Sequence, residues 1–222
     1  MCCPCHPPFG SAAEEMFDCR VASRELRRYR RRGARSTTRR LFSGIRAHAA
    51  NASTLLDVGA GVGALTFALL EAGMQRATVV DASSAFIEAG REEAVRRSLN
   101  LRIDWRHADF VAVAQSLPTV DVVTLDRVVC CYPAISELLI GAASRARNCL
   151  AMSYPLERWA VRSVVSVQNG VRRLTGNPFE VFVHPARLME DVVRRQGFEL
   201  VSRRGTLIWR ADIADIYVRR RL

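Results

Sequence analysis

The sequence predicts an α/β fold: a mostly parallel sheet with helices on both faces and an antiparallel hairpin at its end. Three observations predict it. From Thr54 onward, short apolar runs alternate with segments of helical periodicity, which is the pattern of strands joined by crossover helices. A glycine-rich turn, Gly59-Ala60-Gly61-Val62-Gly63, joins the first run to the first such helix. Near the end, two strand-like runs are separated by little more than Arg204-Gly205, which is hairpin spacing.

Taken in order, residues 1–10, MCCPCHPPFG, read as a disordered tail, and 11–222 as one domain. The tail gathers Cys2, Cys3, Cys5 and His6, but no second cluster completes a metal site, and such sites draw ligands from separated pairs. No metal is expected. Residues 11–50 read as a helical cap of two helices. The stripe of the first is Met16, Cys19, Ala22, Leu26 and Tyr29, with Arg20, Arg24, Arg27, Arg28, Arg30, Arg31 and Arg32 on its other faces. Gly33 ends it, Ser36 or Thr37 is placed to cap the second, and that helix's stripe is Leu41, Phe42, Ile45 and Ala49. Strands follow at Leu55–Val58, Thr78–Asp81, Leu101–His107 (less apolar, hence nearer an edge), Val120–Leu125 and Cys149–Tyr154. Helices fall between them from Ala64, over Ser83–Arg97 and over Ala134–Ala146. Residues 155–183 form a helical insertion carrying Trp159, Val164, Val165, Val167 and Val171, whose apolar stripe is expected to be lid or core. Asn177-Pro178 breaks it, a helix runs from His184-Pro185 to about Gln196, and strands Phe198–Arg203 and Thr206–Val218 close the chain.

Composition bounds the function. A chain of 222 residues can bury a substantial core. Its net charge of +11 invites a nucleic-acid partner, yet all 33 positive residues are arginine and none is lysine. That is the mark of a GC-rich genome, which spreads arginine over the whole surface, so the charge is discounted as a nucleic-acid signal. No apolar run approaches the roughly 20 residues that span a bilayer, and the amino terminus lacks the pattern of a secretory signal. A cytoplasmic protein is expected. The seven cysteines are odd in number and include the neighbours Cys130 and Cys131, so reduced thiols are expected rather than a disulfide framework.

The glycine turn is the centre of the functional reading. Glycines there let the backbone approach a ligand closely and adopt positive φ. Taken literally, Gly59-x-Gly61-x-x-Ala64 also satisfies a dinucleotide fingerprint. Asp57 separates the options. A carboxylate at the strand end repels a pyrophosphate and attracts a ligand carrying an ammonium and a sulfonium, by a few kcal/mol at about 4 Å. This favours S-adenosylmethionine over NAD. Asp81, 18 residues beyond Gly63 at the end of strand two, can accept from both hydroxyls of a ribose, or simply cap the next helix. Asp109, after strand three, can accept from an adenine amino group.

With Asp57-x-Gly59-x-Gly61-x-Gly63, Asp81, Asp109 and Asp121-Val-Val-Thr-Leu-Asp126 in this order, residues 53–154 resemble the class I S-adenosylmethionine-dependent methyltransferases. The resemblance implies their Rossmann-like fold, with the terminal hairpin matching the family's antiparallel last strand, and S-adenosylmethionine as cofactor. It implies a cofactor set of Asp57, Gly59, Gly61, Gly63, Asp81, Ala82, Asp109, Phe110 and Asp126, in which Asp57 orients the cofactor's ammonium. A narrower resemblance is to magnesium-protoporphyrin O-methyltransferases, through Arg27-Arg28-Tyr29 and Tyr132-Pro133. The chain has Cys131 where that group has histidine before the tyrosine.

The family's reaction is an in-line displacement in which the protein positions the acceptor and excludes water. A carboxylate acceptor needs no strong base; a hydroxyl needs one only if its proton must leave. Residues placed to face the acceptor are Asp126, Arg127, Cys131, Tyr132, Tyr154 and His184, and the catalytic candidates are Tyr132, Arg127 and His184. Arg127 is suited to a substrate carboxylate, or equally to a salt bridge with Asp126 or Glu137. Cys130 and Cys131 read as core thiols, and His184 as the residue that starts a helix. The expected function is methyl transfer to a small or medium-sized, anionic acceptor, with O-methylation of a carboxylate or hydroxyl among its forms. Two alternatives stand beside it. One is an RNA or DNA methyltransferase, since Gly63-Ala64-Leu65-Thr66 is similar to rRNA adenine methyltransferases; against it, Asp126-Arg127-Val128-Val129 lacks the Pro-Pro-aromatic step that grips a flipped base. The other is a module that binds the cofactor without catalysis. Oligomeric state and the identity of the acceptor are left open by the sequence.

Overall fold

A computed structural model describes residues 9–157, 159–205 and 212–220. The Cys2, Cys3, Cys5 and His6 segment, and the first six residues of the expected Thr206–Val218 strand, lie outside the described residues.

Among the described residues three helices precede the sheet, not two: α1 (Phe9–Met16), α2 (Cys19–Arg32) and α3 (Ser36–His48). Phe9 and Gly10, expected in the tail, are the first turn of α1. The expected single helix breaks at Phe17-Asp18 because the Asp18 carboxylate caps α2, accepting from Val21 N at 2.8 Å. Ala22, Leu26 and Tyr29 are buried as expected, while Cys19 is exposed. Neither Ser36 nor Thr37 caps α3: the N-cap is Arg35, which makes no side-chain cap bond.

The alternating part follows in order: β1 (Thr54–Val58), α4 (Ala64–Glu71), β2 (Arg76–Asp81), α5 (Ser84–Arg96), β3 (Ile103–His107), the short α6 (Phe110–Val113), β4 (Val120–Asp126), α7 (Ile135–Arg145) and β5 (Ala146–Pro155). Then come α8 (Trp159–Leu174), α9 (Ala186–Arg195), β6 (Phe198–Gly205) and β7 (Asp212–Arg219). The strands form one seven-stranded sheet in the order β3-β2-β1-β4-β5-β7-β6. β1 to β5 run parallel, whereas β7 is antiparallel to both β5 and β6. β3 is the edge strand its weaker apolar pattern predicts. The order reverses between β1 and β4, so the carboxyl ends of β1, β2 and β4 open onto one crevice.

Alternate residues of the strands feed two cores. Leu55, Val79, Val122 and Ala151 join Leu41, Ile45 and Phe67 on one face, and Leu56, Val80, Val123 and Leu125 join Leu138, Leu139 and Val193 on the other. Both faces are covered, which is why these strands read as continuous apolar runs. The insertion behaves differently. Trp159 is 82% exposed, and Val164, Val167, Val171 and Leu174 of α8 also face outward. Its apolar stripe is therefore not core, because periodicity specifies a face and not what covers it.

Candidate functional site

Three glycines shape the crevice. Gly59, Gly61 and Gly63 all have positive φ, at 61°, 57° and 80°. A Cβ on Gly59 would lie 2.4 Å from Val128 Cγ2, so the backbone of the turn passes directly against the loop after β4. Above Gly61 the space is open: an added Cβ would meet nothing nearer than Phe86 at 3.9 Å.

Asp57 lies beneath this turn and not in the crevice. It is 1% exposed, and its two oxygens accept from Thr66 Oγ1 and Thr124 Oγ1, each at 2.6 Å. Burial pushes its pKa up to about 7 despite the two hydroxyl donors. Through Thr66 on α4 and Thr124 on β4 it ties three elements together below the cradle.

Asp81 ends β2 and joins the turn to the next helix. Oδ2 accepts from Gly61 N and Oδ1 from Ser83 N, both at 2.9 Å. Burial raises its pKa to about 6. Helix capping falls instead to Ser83, whose hydroxyl accepts from Phe86 N. Asp109 caps α6, accepting from Val111 N, and takes the Tyr132 hydroxyl on both oxygens at 2.9 and 3.1 Å. Phe110 beside it is buried in the core near Gly141 and does not face the crevice.

A cavity of about 330 Å³ lies between these strand ends and α1, lined by Gly10, Ser11, Glu14, Ala82, His107, Ala108 and Asp109. Glu14 fastens α1 over it. Its carboxylate accepts from Ser84 N at 2.9 Å and from the Ser84 hydroxyl, and meets His107 Nε2 at 3.0 Å. Ser83 Oγ donates to Phe17 O at 2.6 Å, and the Phe9 ring sits 4.4 Å from that of Tyr132. None of the α1 residues that line the cavity was singled out from sequence; the Glu14-to-Ser84 bond spans 70 residues and leaves no local pattern to find.

At the end of β4, Asp126 accepts from Thr38 Oγ1 and Ser153 Oγ, both at 2.5 Å. Arg127 has φ of 67°, a left-handed conformation for a non-glycine residue, held by its N–H donating to Ser153 Oγ at 2.9 Å. Its exposed side chain makes no salt bridge to Asp126 or Glu137. Cys130 and Cys131 have Sγ atoms 3.8 Å apart, close enough for one thiol to donate to the other, and both lie within reach of Arg127 O, at 3.5 and 3.6 Å. The bond from Cys131 lowers the pKa of Cys130, and the same bond raises that of Cys131.

The other acceptor-side candidates divide. Burial and the Asp109 carboxylate push the Tyr132 phenol above its usual range, so it serves as a donor and not as a base. His184 donates Nε2–H to Tyr132 O at 2.9 Å, and burial lowers its pKa, which leaves a neutral ring buttressing the loop after β4. Tyr154 does not face the crevice. It is buried with its hydroxyl on Asp215 Oδ2 at 2.7 Å, in a cluster with Arg203 and Tyr217. Among the described residues no group of three or more His, Cys, Asp or Glu side chains is placed to hold a metal ion.

Residues 55–150 match a family model described as a methyltransferase domain. No curated protein matches the sequence. Among solved structures, magnesium protoporphyrin IX methyltransferase from Synechocystis PCC 6803 with bound SAH superposes with a TM-score of 0.74 at 18% identity, over 96% of this chain and 100% of that one. An O-methyltransferase family protein from Burkholderia thailandensis gives 0.68 at 17%, covering 92% of this chain and 61% of that one. A putative RNA methyltransferase from Pyrococcus horikoshii gives 0.59 at 15%, over 82% and 81%. At these identities the likeness is one of fold.

Proposed function

We infer that this chain, whose methyltransferase domain spans residues 55–150 of a Rossmann-like methyltransferase fold, transfers the methyl group of S-adenosylmethionine to a small or medium-sized acceptor. The observation that carries this is the Asp81 carboxylate, tied to Gly61 N and Ser83 N and followed in the chain by Ala82, which lines a cavity that also meets Asp109.

The residues present fit the cofactor. The space above Gly61 is open, the cavity beside Ala82 and Asp109 suits an adenosine in size, and the Asp109 carboxylate in its lining suits an amino donor. When bound, S-adenosylmethionine supplies an electrophilic methyl group and a neutral thioether leaving group. Asp81 would accept from the ribose hydroxyls, and Asp109, steadied by Tyr132, from the adenine amino group. Gly59 and Gly61, whose own N–H groups are taken by Val80 O and Asp81 Oδ2, would let the backbone pass close to the methionine part. Asp57, enclosed by two threonines, would act there through its field and by holding the turn in shape.

On the acceptor side, Arg127 presents a guanidinium without a salt bridge among the described residues and suits a carboxylate. An acceptor ionised before it binds needs no base, which agrees with a site whose tyrosine and histidine are committed to structural hydrogen bonds. O-methylation of a carboxylate is the form favoured by this arrangement. Isothermal titration tests the cofactor assignment: S-adenosylmethionine or its demethylated product should bind at the micromolar level and NAD should not. Undiminished binding after Asp81→Ala would remove the central observation.

A further inference from the structure

Among the described residues, three buried side-chain polar atoms lack a hydrogen-bond partner: Arg35 Nε, Thr37 Oγ1 and Arg40 Nη1. All three lie in one six-residue stretch, around the first turn of α3. Buried polar atoms are nearly always paired, and leaving one unpaired is costly. Three orphans in one place, with the rest of the described interior satisfied, mark a place built for something else to bind.

The donor set says what. Arginine N–H groups only donate, and a threonine hydroxyl can. Thr37 is 2% exposed, so its hydroxyl is closed off from bulk water. α3 is a 13-residue helix whose N-cap makes no side-chain bond, so the N–H groups of its first turn are left uncapped at the positive end of the helix. Arg35 spends Nη2 on Glu25 and keeps Nε. Arg40 forms no ion pair among the described residues and stands one turn beyond Thr37, on the face that brings Gly44 against Ile216 of β7. The next residue, Thr38, donates to Asp126 at the carboxyl end of β4. That bond places the turn at the edge of the sheet where the crevice opens. Asp126 accepts from Thr38 and Ser153 and from none of the three orphans.

We propose that the first turn of α3 is an oxyanion site, in which Thr37, Arg40 and the uncapped helix N–H groups hold a carboxylate or phosphate group of the methyl acceptor. It rests on the reading that the acceptor lies at this edge of the sheet. Arg35 Nε adds a donor from the flank, and Arg127 faces the acceptor from the loop after β4.

Thermal unfolding of the full chain tests it, with inorganic phosphate or acetate added at ionic strength matched by chloride. Wild type should gain several degrees with at least one of the two. A gain with phosphate alone assigns a phosphorylated acceptor, and a gain with acetate a carboxylate. Thr37→Val and Arg40→Gln should abolish the gain, while Arg40→Lys should keep part of it. In anion-free buffer Thr37→Val should unfold at a higher temperature than wild type, because it removes an orphaned hydroxyl; a hydroxyl with a purely structural role would give the opposite. Titration with S-adenosylhomocysteine accompanies each sample. Intact binding of that ligand with no anion effect in wild type, or with equal effects in wild type and both variants, overturns the oxyanion site alone. Absence of S-adenosylhomocysteine binding in wild type overturns the functional reading instead.

Discussion

Asp57 and Arg127 show how single residues here trade stability for a working site. Asp57 has a folded pKa of about 7, well above an ordinary carboxylate. Between about pH 4 and pH 7 the folded chain therefore holds a proton that the unfolded chain releases. Stability falls as pH rises through that window. Urea unfolding of cofactor-free protein at pH 5 and pH 8 should show this loss, and Asp57→Asn should flatten it and stabilise the protein at pH 8 by roughly 1–3 kcal/mol. Arg127 carries a different cost, its left-handed backbone. Arg127→Gly should raise stability by about 1 kcal/mol, leave S-adenosylmethionine affinity unchanged and lower kcat/KM for the acceptor at least tenfold. Loss of cofactor binding in that variant would mean that the loop serves the cofactor and not the acceptor.

At the scale of elements, α2 is fastened to α5 by charge. Glu93 is completely buried and receives Arg30 from α2 together with Arg96 and Arg97 of its own region. The Arg96 bond and its neighbours hold the Glu93 carboxyl at a pKa of about 2. That stabilisation is complete above the usual glutamate range and is lost as pH falls from about 4 toward 2. Glu93→Gln should loosen α2, seen as faster proteolysis within 19–32 at neutral pH with the sheet still folded, because Arg30 is left with Glu92 alone, Arg97 with Glu71 alone, and Arg96 with no carboxylate among the described residues. The parallel strands and their crossover helices were legible in the sequence, since strands buried on both faces are continuous apolar runs with few alternatives. The glycine turn was equally plain, because only glycine fits three left-handed positions in a row of five. What the sequence hid was the break at Phe17-Asp18, where apolar spacing continues across a real helix end and only the Asp18 cap marks it. It also hid α1 as a wall of the crevice, and the outward turn of α8, because both depend on partners far along the chain. Tyr154 was misplaced for the same reason: its position at the end of β5 is shared with residues that face the crevice, but its hydroxyl is claimed by Asp215 across the antiparallel pairing with β7.

For the molecule as a whole, the charge of +11 is carried entirely by arginine, and much of it is spent internally. Arg30, Arg35, Arg96, Arg97 and Arg203 all meet carboxylates, while Arg102 and Arg219 tie backbone carbonyls. Arginines engaged in this way are less free to grip phosphates. Filter binding with total RNA should accordingly fall to background near physiological salt, whereas tight retention there would favour a nucleic-acid acceptor.

The placement of α1 bears finally on the order of events in turnover. On the placement proposed above it covers the cavity that takes the adenosine, whereas α3 and the loop after β4 frame the acceptor side. The two ligands thus have separate doors, and the Glu14 bonds to Ser84 and His107 must open for one of them only. Acceptor and methylated product can exchange while α1 stays shut, but the spent cofactor cannot. Turnover should then be paced by its departure: rapid mixing should give a burst of one methylated product per chain, and Glu14→Ala should speed the steady phase while leaving the burst as it was.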